Sequence, residues 1–384
     1  MRRYAVTGWW TQWALRMLDA VGGRLRRPST AAGTAAGEVR RLLLVRWERF
    51  GDLITLLPAV ERAREAFPGV RITWMVAPAY ADFVAGLGVV DEVWSVASWR
   101  RAIRERRRGF DLALEFHGDA RWILVARRQA RRVAGYGLRG GGFWLDLDVA
   151  LPAGVSAATK NVRLVEAAAG ARASGPFQYV QPRLRWARRS PAGEYVLIHP
   201  GCGQPSKRWG TAAWRELIAH CQWQGYEIVL AGGAQDRRLC AELAVVVAGP
   251  AAMACRDLSG RTSWSELAEW VAGAAAVVAP DTGIIHLAQA LGTPTVALYG
   301  PTDPAIWGYS AAGHASLVHR LECSHCDHGV CPLVRRGEVS PCLQAITPGA
   351  VSPAVDRLMD ALRRASSGPD APPRSALVGR APRF

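Results

Sequence analysis

Three short stretches gather the residue types that do chemistry. In Arg46-Trp-Glu-Arg-Phe-Gly-Asp52-Leu an apolar run gives way to a glycine-containing loop and then to a helical pattern, with Asp52 at the opening of the helix. A carboxylate there has two readings. It can cap the helix by accepting orphan backbone N–H bonds, or it can serve as a general base. In His199-Pro-Gly201-Cys-Gly203-Gln-Pro-Ser206-Lys207-Arg208-Trp209 small residues again follow a strand. Gly203 and Ser206 let backbone approach a ligand, and Lys207 with Arg208 can neutralise a diphosphate. Of the 48 basic residues only Lys160 and Lys207 are lysine, so a lysine in a glycine loop is hard to ascribe to compositional drift. In Pro280-Asp281-Thr282-Gly283-Ile-Ile-His286 a strand ends and a helix begins, and the free N–H groups of a helix start suit a phosphate. Asp281 is either an N-cap or a partner for sugar hydroxyls.

These residues need elements to carry them. Leu42 to Arg46, Val70 to Val76 and Asp111 to Phe116 read as strands separated by helical segments; a second series runs through Tyr195 to His199, Glu227 to Ala231, Ala276 to Ala279 and Thr295 to Tyr299. The pattern predicts an α/β chain of two doubly wound Rossmann-like domains, 40–188 and 189–366, facing each other across a cleft at the carboxyl ends of their strands. The polar stretch Pro182 to Pro191 is the expected hinge. Residues 1–39 form an amphipathic segment and linker: Trp9, Trp10, Trp13, Met17 and Val21 recur at helical spacing among arginines, which suits either a membrane interface or packing on protein. The proline-rich tail, 367–384, is expected to be disordered.

At 384 residues, half of them hydrophobic, the chain can build two ordinary cores. Its net charge of +16 calls for polyanionic surroundings. No finger, basic zipper or aromatic ribonucleoprotein motif accompanies that charge, so nucleic acid is not an expected partner; a phosphorylated glycolipid and an anionic membrane surface remain. Eleven arginines between Arg100 and Arg132 are either a solvated face or a surface for phosphorylated lipid. No apolar run is long enough for a transmembrane helix, and the first residues lack a signal-peptide cleavage site. The eight cysteines are therefore expected to be reduced thiols.

Taken in order, the three stretches resemble glycosyltransferase family nine, the bacterial heptosyltransferases, over roughly Arg40 to Asp360. The Ser206-Lys-Arg-Trp and Asp281-Thr-Gly-x-x-His-Leu-Ala signatures carry the resemblance, with weaker support from Leu230-Ala-Gly-Gly-Ala-Gln-Asp236 and Asp257-Leu-Ser-Gly-Arg-Thr-Ser263. The resemblance implies a GT-B fold whose first domain takes the acceptor and whose second takes the nucleotide sugar. It implies inverting, metal-independent transfer of heptose from ADP-heptose to a lipopolysaccharide core, lipid A with its inner core, by an enzyme held peripherally at the cytoplasmic face of the inner membrane. Carried over by position, Asp52 is the catalytic base. Lys207, Arg208, Thr282 and Gly283 would hold the donor diphosphate, and Asp281, His286, Gly203, Ser206, Ser259 and Thr262 the donor sugar or nucleotide. Gly210, Gln204, Glu48 and Arg49 depart from the family pattern and bear on acceptor choice. Other readings are a transferase of this fold acting on a protein or other glycan, and a non-catalytic sugar-nucleotide-binding protein. No cofactor is expected for catalysis. Cys323, Cys326, Cys331 and Cys342 have two thiolate pairs that would suit a structural zinc or iron ion.

Overall fold

Leu42, Leu43, Leu44 and Val45 are all fully buried, as expected of a strand covered on both faces in a parallel sheet. In a computed structural model of the chain the described residues are 38–366, apart from 48, 106–108, 152–153, 171–181, 185–194, 247–254, 310 and 336. The tryptophan-bearing segment and linker before Glu38, Glu48, most of the expected hinge and the tail after Ser366 lie outside them. The chain divides into two compact units, one ending at Pro182 and the other beginning at Arg183.

The first unit holds β1 (Arg41–Val45), β2 (Arg71–Val76), β3 (Glu92–Ser95), β4 (Phe110–Glu115), β5 (Ala130–Gly135) and β6 (Leu147–Asp148). They pair in the order β3-β2-β1-β4-β5-β6, every pair parallel. The second unit holds β7 (Tyr195–Ile198), β8 (Glu227–Leu230), β9 (Arg256–Asp257), β10 (Ala276–Pro280), β11 (Thr295–Tyr299) and β12 (His314–Val318). Their order is β12-β11-β10-β7-β8-β9, again all parallel. Both sheets thus have the Rossmann order, in which the chain steps outward from the first strand and then returns to its other side. Two such units in series make up the GT-B fold. In an open parallel sheet the crevice for a ligand opens beyond the carboxyl ends of the two strands where the order reverses: β1 and β4 in the first unit, β7 and β10 in the second.

Helices of both units have local reasons to start and stop. Helix Trp264–Gly273 begins with a capping box, in which Ser263 Oγ accepts from Glu266 N–H and the Glu266 carboxylate accepts from Ser263 N–H. Ser156 caps Ala157–Ala168, which packs on Phe50–Ala66 and donates a bond from Asn161 Nδ2 to Thr55 O at 3.0 Å. Helix Gly283–Leu291 ends on Gly292 at φ +74°, a left-handed cap that a residue with a Cβ adopts at a cost. Beneath the second unit's crevice Trp209 and Trp214 meet edge to face at 4.6 Å, and Trp209 donates to Ile346 O, so the chain just past Lys207 and Arg208 is fixed to the core. Among the described residues no helix is long and apolar enough to cross a membrane.

Candidate functional site

In the first unit Asp52 lies in the first turn of helix Phe50–Ala66, just beyond β1. The N-cap of that helix is Arg49 and makes no side-chain cap bond, so the capping role open to Asp52 is not the one it plays. Its carboxylate instead meets Arg46, Nη2 to Oδ1 at 2.8 Å, with both side chains largely buried. The approach is made by unusual backbone, for Arg49 has φ +66°, a region that non-glycine residues rarely occupy and that clusters at functional sites.

A second buried acid ends the strand beside β1, and the sequence pattern did not single it out. Glu115 ends β4 and is fully buried. Its carboxylate accepts from the backbone N–H of His117 and Gly118, each at 2.8 Å, and lies 3.1 Å from His117 Nδ1. Burial pushes the Glu115 carboxyl up to about 8, while the two N–H donors and Arg46 pull the other way. His117 is held well below the ordinary histidine value by its burial and then by Arg46, Arg139 and Arg121, so its ring is neutral. A neutral ring that donates from Nδ1 to Glu115 leaves Nε2 as an acceptor, and it accepts from Trp47 N–H at 3.1 Å. The visible signal was a carboxylate closing the apolar run Leu112-Ala-Leu that follows Phe110 and Asp111, with Phe-His-Gly after it.

In the second unit Lys207 follows β7 and Asp281 follows β10, the two strands of the switch point. Lys207 Nζ donates to Asp281 Oδ2 at 2.6 Å and to Asp281 O at 3.1 Å. His286 Nε2 stands 3.4 Å from the other carboxylate oxygen. Burial raises the Asp281 carboxyl, but Lys207 and His286 outweigh it and the net displacement is downward, so it is ionised. Asp281 does not cap the helix: the N-cap is Thr282. Nor is its carboxylate open on all sides for sugar hydroxyls, since one oxygen belongs to Lys207. Thr282 Oγ1, Thr302 Oγ1 and His286 Nδ1 are buried without a partner among the described residues, which a polar ligand would relieve. Gly283 opens the helix, and Arg208 and Gly203 are exposed at the rim.

Neighbouring loops brace this centre. Asp236 accepts from Gly233 N–H at 2.8 Å and packs so closely on Gly201 that a Cβ there would sit 2.4 Å from its Cγ. Ser259 is buried and its N–H donates to Asp257, whereas Thr262 is half-buried; both follow β9, at the far edge of the sheet from β12. Ser206 is buried and bonds twice to the cysteine-bearing loop, its N–H to Gly329 O at 3.2 Å and its hydroxyl to His328 O. That loop is tied in turn to the chain after β11, with Asp327 N–H donating to Pro301 O at 2.8 Å.

The expected metal site is not built. Cys323 and Cys326 are exposed, Cys331 is half-buried and Cys342 is buried in the core beside Leu343. Burial raises the Cys342 thiol, the backbone N–H of Leu343 pulls it down, and Cys326 and Cys331 raise it further. Among the described residues no three histidine, cysteine or carboxylate side chains are grouped to hold an ion.

The model of glycosyltransferase family 9 (heptosyltransferase) matches residues 96–335. Lipopolysaccharide heptosyltransferase 1 of Pseudomonas aeruginosa is 29% identical over 322 residues, 76% of this chain and 87% of that one. Among solved structures, Escherichia coli ADP-heptose lipopolysaccharide heptosyltransferase II superposes with a TM-score of 0.69 at 20% identity, covering 84% of this chain and 99% of its own. An E. coli heptosyltransferase with ADP superposes with a TM-score of 0.65 at 22% identity, covering 83% and 99%.

Proposed function

The chain belongs to glycosyltransferase family 9 and is a glycosyltransferase; from that premise we propose that it transfers heptose, with inversion, from ADP-heptose to the lipid A and inner core region of lipopolysaccharide. The reading is supported by likeness to a lipopolysaccharide heptosyltransferase over most of both chains. The observation that carries it is the buried Lys207–Asp281 pair across the second unit's switch point. A nucleoside diphosphate bound there meets Lys207 and the N–H groups at the start of helix Gly283–Leu291, with Arg208 at the rim. As the bond from the anomeric carbon to the diphosphate breaks, these fixed positive groups take up the charge that develops on the leaving oxygen, work that a divalent cation does in other enzymes. Asp52 takes the proton of the acceptor hydroxyl as that oxygen attacks the same carbon from the opposite face. Arg46 holds the Asp52 carboxylate in place before the acceptor arrives. Thr282, Thr302 and His286 bring polar atoms to the sugar or its phosphates.

The acceptor is a lipid, so the enzyme works at the cytoplasmic surface of the inner membrane. The aromatic and arginine-rich segment before Ser29 suits that surface. Deleting residues 1–29 is expected to reduce sedimentation with anionic liposomes while sparing transfer to a soluble acceptor analogue, and undiminished sedimentation counts against a membrane role.

The deciding experiment incubates the protein with ADP-heptose and lipid A–inner core acceptor and weighs the products. One heptose added to the lipid supports the reading. Heptose found on protein moves the acceptor elsewhere, and ADP-heptose left intact removes the reading altogether.

A further inference from the structure

The buried acid at the end of β4 takes no part in the transfer just described, and a carboxyl group in that place is costly whether it is charged or neutral. Leucine would fill the end of the strand with no polar group to desolvate. What Glu115 obtains in return is local: all three of its short contacts, from His117 N–H, Gly118 N–H and His117 Nδ1, fold the chain immediately after the strand into one tight turn. Gly118 within that turn has φ +67°, and a Cβ on it would lie 2.7 Å from Tyr136 O, so the turn has one shape.

Gly118 O accepts from Arg139 N–H at 2.7 Å and the His117 ring stacks on Trp122, while three further bonds run from the turn to the end of β1 and the two residues after it. Phe116 N–H donates to Val45 O at 3.2 Å. Phe116 O accepts from Arg46 Nη1, and His117 Nε2 accepts from Trp47 N–H. Arg46 spends its other terminal nitrogen on Asp52. The guanidinium is therefore held at two points, one a carbonyl whose position the Glu115 turn sets and the other the carboxylate of the base. β1 and β4 are the two strands of the switch point, where such a bridge is shortest.

We infer that Glu115 is a positioning residue for transfer: it folds the Phe116–Gly118 turn that holds Arg46, and Arg46 holds the Asp52 carboxylate at the angle needed to receive the acceptor proton. The inference rests on the reading of Asp52 as the base. Glu115 touches neither sugar nor acceptor, and its effect is transmitted through the carbonyl of Phe116 and the ring of His117.

The test is Glu115→Gln, which keeps the shape but gives one acceptor oxygen up for a donor. Single-turnover transfer at saturating ADP-heptose separates the rate constant from the amplitude. A misplaced base lowers the rate constant, roughly 10- to 100-fold for a displacement on the order of 1 Å. A merely structural defect lowers the amplitude, because fewer molecules are active at an unchanged rate. ADP affinity, set in the other unit, should stay within about twofold. Placed on Asp52→Asn, the second substitution should slow the residual reaction less than about threefold, since both act on one step. An unchanged rate constant for Glu115→Gln, or an equal loss in the Asp52→Asn background, overturns the inference. Near-normal transfer by Asp52→Asn alone overturns the base reading, a separate result. Should Glu115→Gln fail to fold, Arg46→Lys carries the same test, because it keeps the cation but cannot span both Phe116 O and Asp52; a full rate constant there also overturns it.

Discussion

Replacing Lys207 with alanine separates what its ammonium does for the fold from what it does for the donor. The Asp281 carboxylate is 3% exposed and accepts one contact from Lys207, whose ammonium also reaches the Asp281 backbone carbonyl; without the lysine the carboxylate keeps, among the described residues, His286 at 3.4 Å. Removing one member of a buried pair costs about 3 to 5 kcal/mol because the other charge is left behind. Lys207 is 17% exposed and water can reach the vacated space, which places the loss near the lower end, about 3 kcal/mol. In a unit of this size that is a fall in melting temperature of roughly 6 to 12 °C. The pH dependence changes sign as well. In the intact protein the Asp281 carboxyl lies below its ordinary value, so its stabilisation is present at neutral pH, above the unfolded value, and is lost as pH falls through the folded one. Without Lys207 burial dominates, the carboxyl rises above its unfolded value, and acidification toward that value relieves the protein. Lys207→Ala with Asp281→Asn leaves no buried charge and should recover most of the melting temperature. Both variants should bind ADP on the order of 10- to 100-fold more weakly, the worth of a lost charge-assisted contact. Calorimetric melts between pH 4 and 8 with ADP titrations would decide. If Lys207→Ala melts like the intact protein, or the double variant melts lower still, the ion-pair account is wrong.

Asp52→Asn should cut the single-turnover rate about 10² to 10⁴-fold with ADP binding intact; transfer within tenfold of normal would take the proton elsewhere. Gly201→Ala should cost roughly 1 to 3 kcal/mol in a urea melt and weaken ADP binding, because the new Cβ falls 2.4 Å from Asp236 Cγ and drives that carboxylate off Gly233 N–H. Gly300→Ala should destabilise by a similar amount, since its Cβ would overlap Leu343 Cδ2 and crowd Cys342 Sγ at 2.8 Å; an unchanged urea midpoint would mean that the helix Pro341–Gln344 is free to move.

The central strands were legible because both faces of a parallel sheet are covered, which writes β7, β10 and Leu42 to Val45 of β1 as unbroken apolar runs and β4 as one interrupted at Asp111 and closed by Glu115. The strands toward the edges were not. β5 carries Arg131 and Arg132, which are exposed, β12 has no buried residue, and β6 and β9 are two residues each, so none stands out from loop. Lys207 and Asp281 were found from their neighbours in sequence, whereas their mutual contact joins residues 74 positions apart and leaves no local pattern. Glu115 and His117 went unseen because burial is what gives them meaning. The cysteine spacing suggested a metal, but spacing carries no information about which thiol the core has already claimed, and Cys342 is one that it has.

The bonds from Ser206 to His328 and Gly329 join the lysine-bearing turn to a loop that begins over a hundred residues later. That loop contains two non-glycine residues on the left-handed side, His325 at φ +63° and Asp327 at φ +55°, conformations that persist only where surrounding bonds outweigh them. The turn and the loop therefore share their support, and a substitution that removes the Ser206 hydroxyl takes a bond from both at once. The exposed thiols Cys323 and Cys326 belong to the stretch that carries those left-handed residues, so the cysteines that sequence spacing groups together lie in a segment bonded to the turn that carries Lys207.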